Sequence, residues 1–255
     1  MFEASELRKD IITGETVIIA ANRRFRPQDF KDASGNTKSL HSSCPFCPGN
    51  EKLTPPEILT VPQENDSAAW DIRVVPNKFP MINPTLFNEN HRDHANANIQ
   101  GCCGEHEVVI ESPIHNESFA NLSVRRITKI FQTFQSRIAA FRKNPALKSF
   151  VIFKNEGADA GASLIHPHSQ VLATNFIPQR VKREFSLFRK HFSQNRNCLV
   201  CGMIKNELKN DARIISRQDD FVALAPFAAR KPYETWILPT SHQPIFEKVG
   251  LAQLR

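Results

Sequence analysis

The segment GASLIHPHSQV, residues 161–171, decides how this sequence is interpreted, because it places two histidines and a glutamine at alternate positions. Side chains of an extended strand alternate between two faces, so His166, His168 and Gln170 are predicted to point the same way. The intervening Pro167 removes a donor from the strand ladder and predicts an edge strand that is open to a ligand. An isolated His-x-His pair can also be one hydrogen-bonded core histidine beside a solvated one. The function therefore depends on what the rest of the chain brings to these residues.

Two Cys-x-x-Cys pairs supply metal-binding chemistry, Cys44/Cys47 and Cys198/Cys201. The opening residues, MFEASELRKD, lack the apolar core of a signal peptide, and a chain kept in a reducing compartment does not retain structural disulfides. Spacing and compartment together indicate metal. A structural zinc takes four sulfur and nitrogen ligands, so two histidines are needed beside the first pair.

Candidate histidines stand at matching places in the two halves of the chain. His115 and His166 complete a Cys₂His₂ set with the first cysteine pair, which predicts one zinc site. His242 joins the second pair as three ligands of a possible second site, whose fourth ligand lies beyond the chain or comes from elsewhere. The alternative for the second pair is two reduced, partly buried thiols.

Bulk composition is that of a globular protein, with 255 residues, 40% hydrophobic and 23% charged. No apolar run reaches the roughly 20 residues that cross a bilayer, so we expect no membrane span and a cytoplasmic protein. The net charge of +7 is partly concentrated in RVKREFSLFRKHF, residues 180–192. Such a segment can attract nucleic acid or an anionic small molecule, or it can be a solvated helix face.

Local patterns predict a mixture of strands and helices. A hairpin is predicted from Asp10 to Ile19, with its turn at Thr13-Gly14. Apolar residues at helical spacing after Ser123 predict a helix that Asn144-Pro145 stops, and SFVIFKNEG, residues 149–157, is predicted to be a buried strand. His106 is expected in a strand near the site or at the surface, and Cys102-Cys103 as free thiols in a loop.

The two halves of the chain resemble one another. Each has a Cys-x-x-Cys pair, a proline-bearing turn, an acidic residue that opens an apolar strand, a proline, and a histidine two residues later. This order predicts a duplicated unit whose second copy is incomplete. An incomplete unit exposes a sheet edge and apolar surface, so the chain is expected to form a homodimer or to be marginally stable.

Several segments closely resemble the galactose-1-phosphate uridylyltransferase family of the histidine-triad superfamily. In chain order they are ELRKDIITGETVIIAANRRFRP, CPFCPGNE, VVPNKFP, HEVVIESPIHNESF, FKNEGADAGASLIHPHSQ and PYETWILPTSHQPIFE. The resemblance implies an α+β fold with histidine-triad-like units, each an antiparallel sheet with flanking helices. The implied boundaries are a nucleotidyltransferase unit over 1–178 and a partial second unit over 179–255.

The resemblance also implies a ping-pong transfer of UMP between UDP-glucose and galactose 1-phosphate. His168 matches the histidine that attacks the α-phosphorus and carries UMP, and His166 matches a zinc ligand. Gln170 and Ser163 match residues beside the phosphates. The residues implied on the uridine side are Asn77, Phe79, Asn155 and Gly161. Residues that bind the acceptor sugar phosphate have no identifiable match.

The chemistry of a neutral imidazole also allows His168 to act as a nucleophile. A neutral imidazole can attack phosphorus without a general base, because one ring nitrogen already carries a lone pair. The other nitrogen needs an acceptor that fixes the tautomer, and a main-chain carbonyl held in place by zinc on His166 is the predicted acceptor. Zinc would then organise the strand without touching the substrate.

Two other functions fit parts of the sequence. An ADP-sugar adenylyltransferase or phosphorylase of the same superfamily would use the same chemistry, because nothing in HPHSQ selects uracil over adenine. A non-catalytic zinc protein that binds nucleic acid would use the cysteine pairs and the positive charge. The pairs are about 150 residues apart, too distant for one compact zinc ribbon, and this function leaves His168 and Gln170 unused.

Overall fold

A computed structural model describes residues 5–9, 16–20, 23, 25, 43–82 and 99–254. The chain divides into two compact units, Met1–Pro178 and Gln179–Arg255. Strands and helices occur in both, so the α+β class predicted from the sequence is confirmed. Among the described residues, no helix combines the length and apolar character needed to cross a membrane.

A five-stranded antiparallel sheet forms the centre of the first unit, in the order β3-β4-β6-β8-β7. Its strands are β3 (Leu59–Pro62), β4 (Trp70–Pro76), β6 (Gly104–Ile110), β7 (Ser149–Phe153) and β8 (His168–Thr174). A second sheet of three short antiparallel strands has the order β2-β1-β5. Its strands are β1 (Glu6–Lys9), β2 (Thr16–Ile19) and β5 (Ile99–Gly101).

The N-terminal hairpin forms with its second strand, β2, as predicted, but its first strand is Glu6–Lys9, whereas the predicted first strand from Asp10 lies outside the described residues. Strands β1 and β2 pair antiparallel, with Glu6 opposite Ile19 and Lys9 opposite Thr16. The predicted turn at Thr13-Gly14 lies outside the described residues.

The histidine-bearing strand lies inside the sheet, so the predicted edge position is wrong. Strand β8 pairs with β6 on one side and with β7 on the other. It begins at His168, one residue after Pro167, so the missing N–H of the proline costs no ladder hydrogen bond. Strand β7 was predicted to be buried and is instead the edge of the sheet, with Val151 40% exposed.

One long helix, α1 (Val124–Phe141), packs against this sheet and contacts β8. The Ser123 side chain caps it by accepting a hydrogen bond from the main-chain N–H of Arg126. Its buried residues recur at helical spacing, as the sequence predicted: Thr128, Ile130, Thr133, Phe134, Ile138 and Phe141. Arg137 forms two hydrogen bonds of 2.7 Å with the Glu107 carboxylate, which fastens the helix to β6.

The second unit contains α2 (Gln179–Asn195), α3 (Leu199–Asn210) and a three-stranded antiparallel sheet in the order β11-β10-β9. Its strands are β9 (Ile214–Arg217), β10 (Phe221–Leu224) and β11 (Trp236–Pro239). Ile204, Val222 and Leu224 form its core. Residues 180–192 lie in α2, which has no buried residue, so this basic segment is a solvated helix.

The predicted duplication is not confirmed. In the first unit a single helix lies between β6 and β7 of a five-stranded sheet, whereas the second unit has two successive helices before three consecutive strands. The order β9-β10-β11 matches β3-β4-β6, but the described part of the second unit contains no counterpart of β7 and β8.

Val109→Ala should lower the free energy of unfolding by about 2 kcal/mol, because it removes two buried methyl groups and leaves a cavity. Val109 is 0% exposed and lies in the central strand β6. Val151→Ala makes the same chemical change at the exposed edge strand and should cost less than about 0.5 kcal/mol. Urea denaturation followed by circular dichroism measures both, and equal losses would contradict the described sheet order.

Candidate active site

The four residues of the first predicted metal set lie together. Cys44 and Cys47 occupy a tight turn in which the Cys47 N–H donates to the Cys44 carbonyl at 3.3 Å. His115 follows β6, and His166 lies two residues before β8. All four side chains are buried, and their candidate ligand atoms lie within 4.8 Å of one another. The sheet and the cysteine turn thus bring together positions that are up to 122 residues apart.

The distances between these atoms fit a tetrahedral ion. The Cys47 Sγ atom lies 3.2 Å from His115 Nδ1 and 3.6 Å from His166 Nδ1, and the Cys44 Sγ atom lies 3.7 Å from His166 Nδ1. Zinc bonds of about 2.3 Å to sulfur and 2.0–2.1 Å to nitrogen separate such ligands by roughly 3.6 Å. The cluster is therefore compatible with zinc.

Hydrogen bonding sets the tautomer of His166. Its Nε2 lies 2.8 Å from the main-chain carbonyl of Ser112. A carbonyl only accepts hydrogen bonds, so Nε2 carries the proton and Nδ1 presents its lone pair to the thiols. This is the arrangement that a metal-binding histidine needs.

Burial keeps the two cysteine thiols of the first cluster protonated. It raises the pKa of Cys44 to about 12 and also raises the pKa of Cys47. Both thiols therefore stay protonated at neutral pH in the absence of a metal. Because a metal binds the thiolates, its binding must release protons, and its affinity should rise with pH.

The second predicted set also lies together, in the second unit. The candidate ligand atoms of Cys198, Cys201 and His242 lie within 4.8 Å of one another, and the Cys201 Sγ atom is 3.3 Å from His242 Nδ1. The main-chain N–H of Cys201 lowers the pKa of Cys198, which is the N-cap residue of α3. This cluster is partly exposed and holds three ligands within the part of the chain that the structure describes.

The His168 ring lies beside a main-chain acceptor, the carbonyl of His166, as the sequence predicted. Its Nδ1 lies 2.8 Å from the main-chain carbonyl of His166, so Nδ1 carries the proton. The lone pair of the neutral ring is then on Nε2. The Phe46 ring packs against both histidine rings, with centroids 5.2 Å from His168 and 5.9 Å from His166. One residue, His166, therefore links the metal cluster to the candidate nucleophile.

His168 lines a cavity of about 450 Å³. All of the residues assigned to nucleotide and phosphate binding line it: His168, Gln170, Ser163, Asn77, Phe79, Asn155 and Gly161. Gly161 has φ +75°, a backbone conformation that favours glycine, in a turn closed by its N–H to the Ala158 carbonyl. Arg23 and Lys78 also line the cavity and supply positive charge for an anionic ligand.

Two further polar groups support strand β8: His106, which the sequence placed either in a strand near the site or at the surface, and Glu111, which was not predicted. His106, 5% exposed, lies at the site and not at the surface, and its Nε2 is 2.9 Å from Gln170 Oε1. Glu111, which is fully buried, accepts hydrogen bonds from Lys154 at 2.6 Å and from the Ser169 hydroxyl. Alternation along HEVVIE contains this signal, but only the strand pairing shows which residues face Gln170 and Ser169.

The vicinal cysteines are free thiols between β5 and β6, as predicted, and both are buried. Cys102 packs in a core with Leu7, Ile82 and Leu172, and burial raises its pKa to about 12. Neither vicinal cysteine belongs to the two candidate ligand sets found among the described residues.

Cys44→Ser should remove one metal equivalent per chain and lower stability, because the buried site loses a thiolate ligand. Cys103→Ser is the matched control, since it alters a buried cysteine outside the clusters and should keep the wild-type metal content. Elemental analysis of the purified proteins measures the stoichiometry. Unchanged zinc in Cys44→Ser would show that the first cluster is misassigned.

Comparison with known proteins agrees with the resemblance seen in the sequence. The profile of the "Galactose-1-phosphate uridyl transferase, N-terminal domain" family matches residues 2–178. An ADP-glucose phosphorylase of Arabidopsis thaliana is 34% identical over 247 residues, which cover 96% of this chain and 68% of that protein. A galactose-1-phosphate uridylyltransferase of Thermotoga maritima is 28% identical over 237 residues, covering 93% of this chain and 67% of that protein.

A solved structure of a uridylyltransferase has the same fold. It superposes with a TM-score of 0.77 at 26% sequence identity, over 98% of this chain and 71% of that one. The family profile covers more than half of the chain, and the relatives match nearly all of it. The chain belongs to the galactose-1-phosphate uridyl transferase family of nucleotidyltransferases.

Proposed function

We propose that this protein transfers a nucleotidyl group from a sugar nucleotide through a covalent intermediate on Nε2 of His168. The observation that carries the proposal is the 2.8 Å hydrogen bond between His168 Nδ1 and the His166 carbonyl. It keeps the proton on Nδ1 and the lone pair on Nε2, so the ring needs no general base.

The first substrate we propose is UDP-glucose. The Nε2 lone pair attacks the α-phosphorus and forms a phosphorus–nitrogen bond, while the bond from that phosphorus to the bridging oxygen breaks and glucose 1-phosphate leaves with the electron pair. A phosphate oxygen of galactose 1-phosphate then attacks the same phosphorus. The phosphorus–nitrogen bond breaks, UDP-galactose leaves, and His168 returns to its neutral form with Nδ1 still protonated.

The cavity supplies groups for these two steps. Gln170 and Ser163 are proposed to donate hydrogen bonds to the phosphoryl oxygens as charge develops on them. Asn77, Phe79, Asn155 and Gly161 are proposed to bind the nucleoside side of the substrate. Their common position on the lining of one cavity with His168 supports these assignments.

Zinc is the metal we propose for the first cluster, with a second zinc at Cys198, Cys201 and His242. Bound zinc would supply a structural crosslink, because its ligands would be His166 and His115 with the two cysteines of the turn. The carbonyl of His166 would then be held where His168 needs it. No step of the transfer requires the metal to touch the substrate.

ADP-glucose is the second candidate donor. It is favoured by the 34% identity to an ADP-glucose phosphorylase, against 28% to the galactose-1-phosphate uridylyltransferase of Thermotoga maritima. The covalent step on His168 would be the same, with AMP in place of UMP.

A nucleic-acid-binding zinc protein is disfavoured. Each cysteine pair has its own histidine partner within its own unit, so the pairs do not form one ribbon. We propose that residues 1–178 carry the nucleotidyl-transfer site, because every cavity residue named above lies in this range. The homodimer, the role of residues 179–255 as a partial second unit and the cytoplasmic location stay predictions.

His168→Ala should abolish the covalent adduct, because it removes the attacking nitrogen. Wild-type protein is incubated with UDP-glucose or with ADP-glucose, kept alkaline because phosphohistidine is acid-labile, and its intact mass is measured. His191→Ala, which alters a partly exposed histidine of α2 that does not line the cavity, is the control and should keep the adduct.

The two donors give different results in this experiment. A UMP adduct supports uridylyl transfer, and an AMP adduct moves the assignment to the ADP-sugar branch. An adduct that persists in His168→Ala, or no adduct on the wild-type protein from either donor, would contradict the proposed function.

A further inference from the structure

The side chain of Gln170 is held at its oxygen by two donors. Its Oε1 lies 2.9 Å from His106 Nε2 and 3.4 Å from Asn77 Nδ2. In the pairing of β6 with β8, His106 stands opposite Leu172 and Val108 opposite Gln170. His106 and Gln170 are therefore diagonal neighbours on one face of the sheet, within reach of each other.

Main-chain groups fix the direction of these hydrogen bonds. The N–H of Met81 donates to His106 Nδ1 at 2.9 Å, so the ring proton of His106 must be on Nε2, which then donates to Gln170. The N–H of Phe79 donates to Asn77 Oδ1 at 2.9 Å, so the NH₂ group of Asn77 is the part that lies toward Gln170. Both neighbours present donors to the same oxygen.

Only one orientation of the Gln170 amide satisfies this arrangement. If the amide were flipped, its NH₂ group would face the N–H of His106 and the NH₂ of Asn77, and the buried N–H of His106 would lose its acceptor. With Oε1 held, the NH₂ group is the part of the amide available to an oxygen in the cavity that Gln170 and His168 line.

We infer that His106 is a positioning residue that orients the Gln170 amide so that its NH₂ group donates to the phosphoryl oxygens during nucleotidyl transfer. This inference rests on the proposed function for the identity of the acceptor. His106 is suited to the role because it is 5% exposed and is anchored by a main-chain N–H. Burial lowers its pKa to about 4, so the ring stays neutral and keeps Nδ1 as an acceptor at physiological pH.

Two amide substitutions separate the two contacts of the ring. His106→Gln places an amide NH₂ near the position of Nε2 and should keep the donor to Gln170. His106→Asn is shorter, so it can accept from the Met81 N–H but does not reach Gln170. The variants are similar in polarity, and urea denaturation and zinc content show whether both fold as the wild type does.

The experiment measures the single-turnover rate of adduct formation with the donor that labels the wild-type protein. We expect His106→Asn to slow this step by about tenfold to a hundredfold, the range typical of lost outer-shell partners, and His106→Gln to recover most of the rate. In a Gln170→Ala background, His106→Asn should cause no further loss, because the residue acts through Gln170. A wild-type rate in His106→Asn, or losses that multiply in the double variant, would overturn the inference.

A spectroscopic measurement tests the same inference without activity. In ¹⁵N-labelled protein, His106 should remain a neutral ring protonated at Nε2 from pH 5 to pH 8. A ring protonated at Nδ1, or one that titrates in this range, would overturn the inference. If the wild-type protein forms no adduct, the proposed function fails. The tautomer of the His106 ring still tests the inference in that case, because only a ring protonated at Nε2 can donate to Gln170.

Discussion

The hydrogen bond between His168 Nδ1 and the His166 carbonyl is the interaction on which the candidate site depends. It determines which nitrogen of the nucleophile carries the lone pair. That carbonyl belongs to His166, whose ring presents Nδ1 to the buried thiols of Cys44 and Cys47. A metal held by that ring would therefore restrain the nucleophile through the His166 main chain and this hydrogen bond, without contacting a substrate.

Side-chain contacts on both faces of the sheet hold strand β8, which begins at His168. On the face that borders the cavity, His106 and Asn77 fix Gln170 beside the nucleophile. Ser169 points the other way and donates to the buried Glu111, which Lys154 also holds. A central strand with a polar anchor on each face has little freedom to move, and a site that must orient a phosphoryl group benefits from such rigidity.

Much of this arrangement could be predicted from the sequence, because the relevant signals are local. Alternation places His168 and Gln170 on one face, and the Cys-x-x-Cys spacing indicates a metal. The edge position of the histidine strand was predicted wrongly from Pro167, because the proline lies just before the strand and takes no position in its ladder. The role of His106 was missed because alternation reports faces but not neighbours: its partner is 64 residues away, and only the register of β6 with β8 brings them together. The identity of the sugar nucleotide is harder still to predict from the sequence, since the phosphate chemistry is the same for UDP-glucose and ADP-glucose.

The atom of His168 that carries the nucleotide tests the account most directly. Phosphorus–nitrogen coupling in the ¹⁵N-labelled, nucleotide-trapped protein at alkaline pH distinguishes the two ring positions. We predict attachment at Nε2, with Nδ1 still protonated and hydrogen-bonded to the His166 carbonyl. Attachment at Nδ1, or at any residue other than His168, would contradict it.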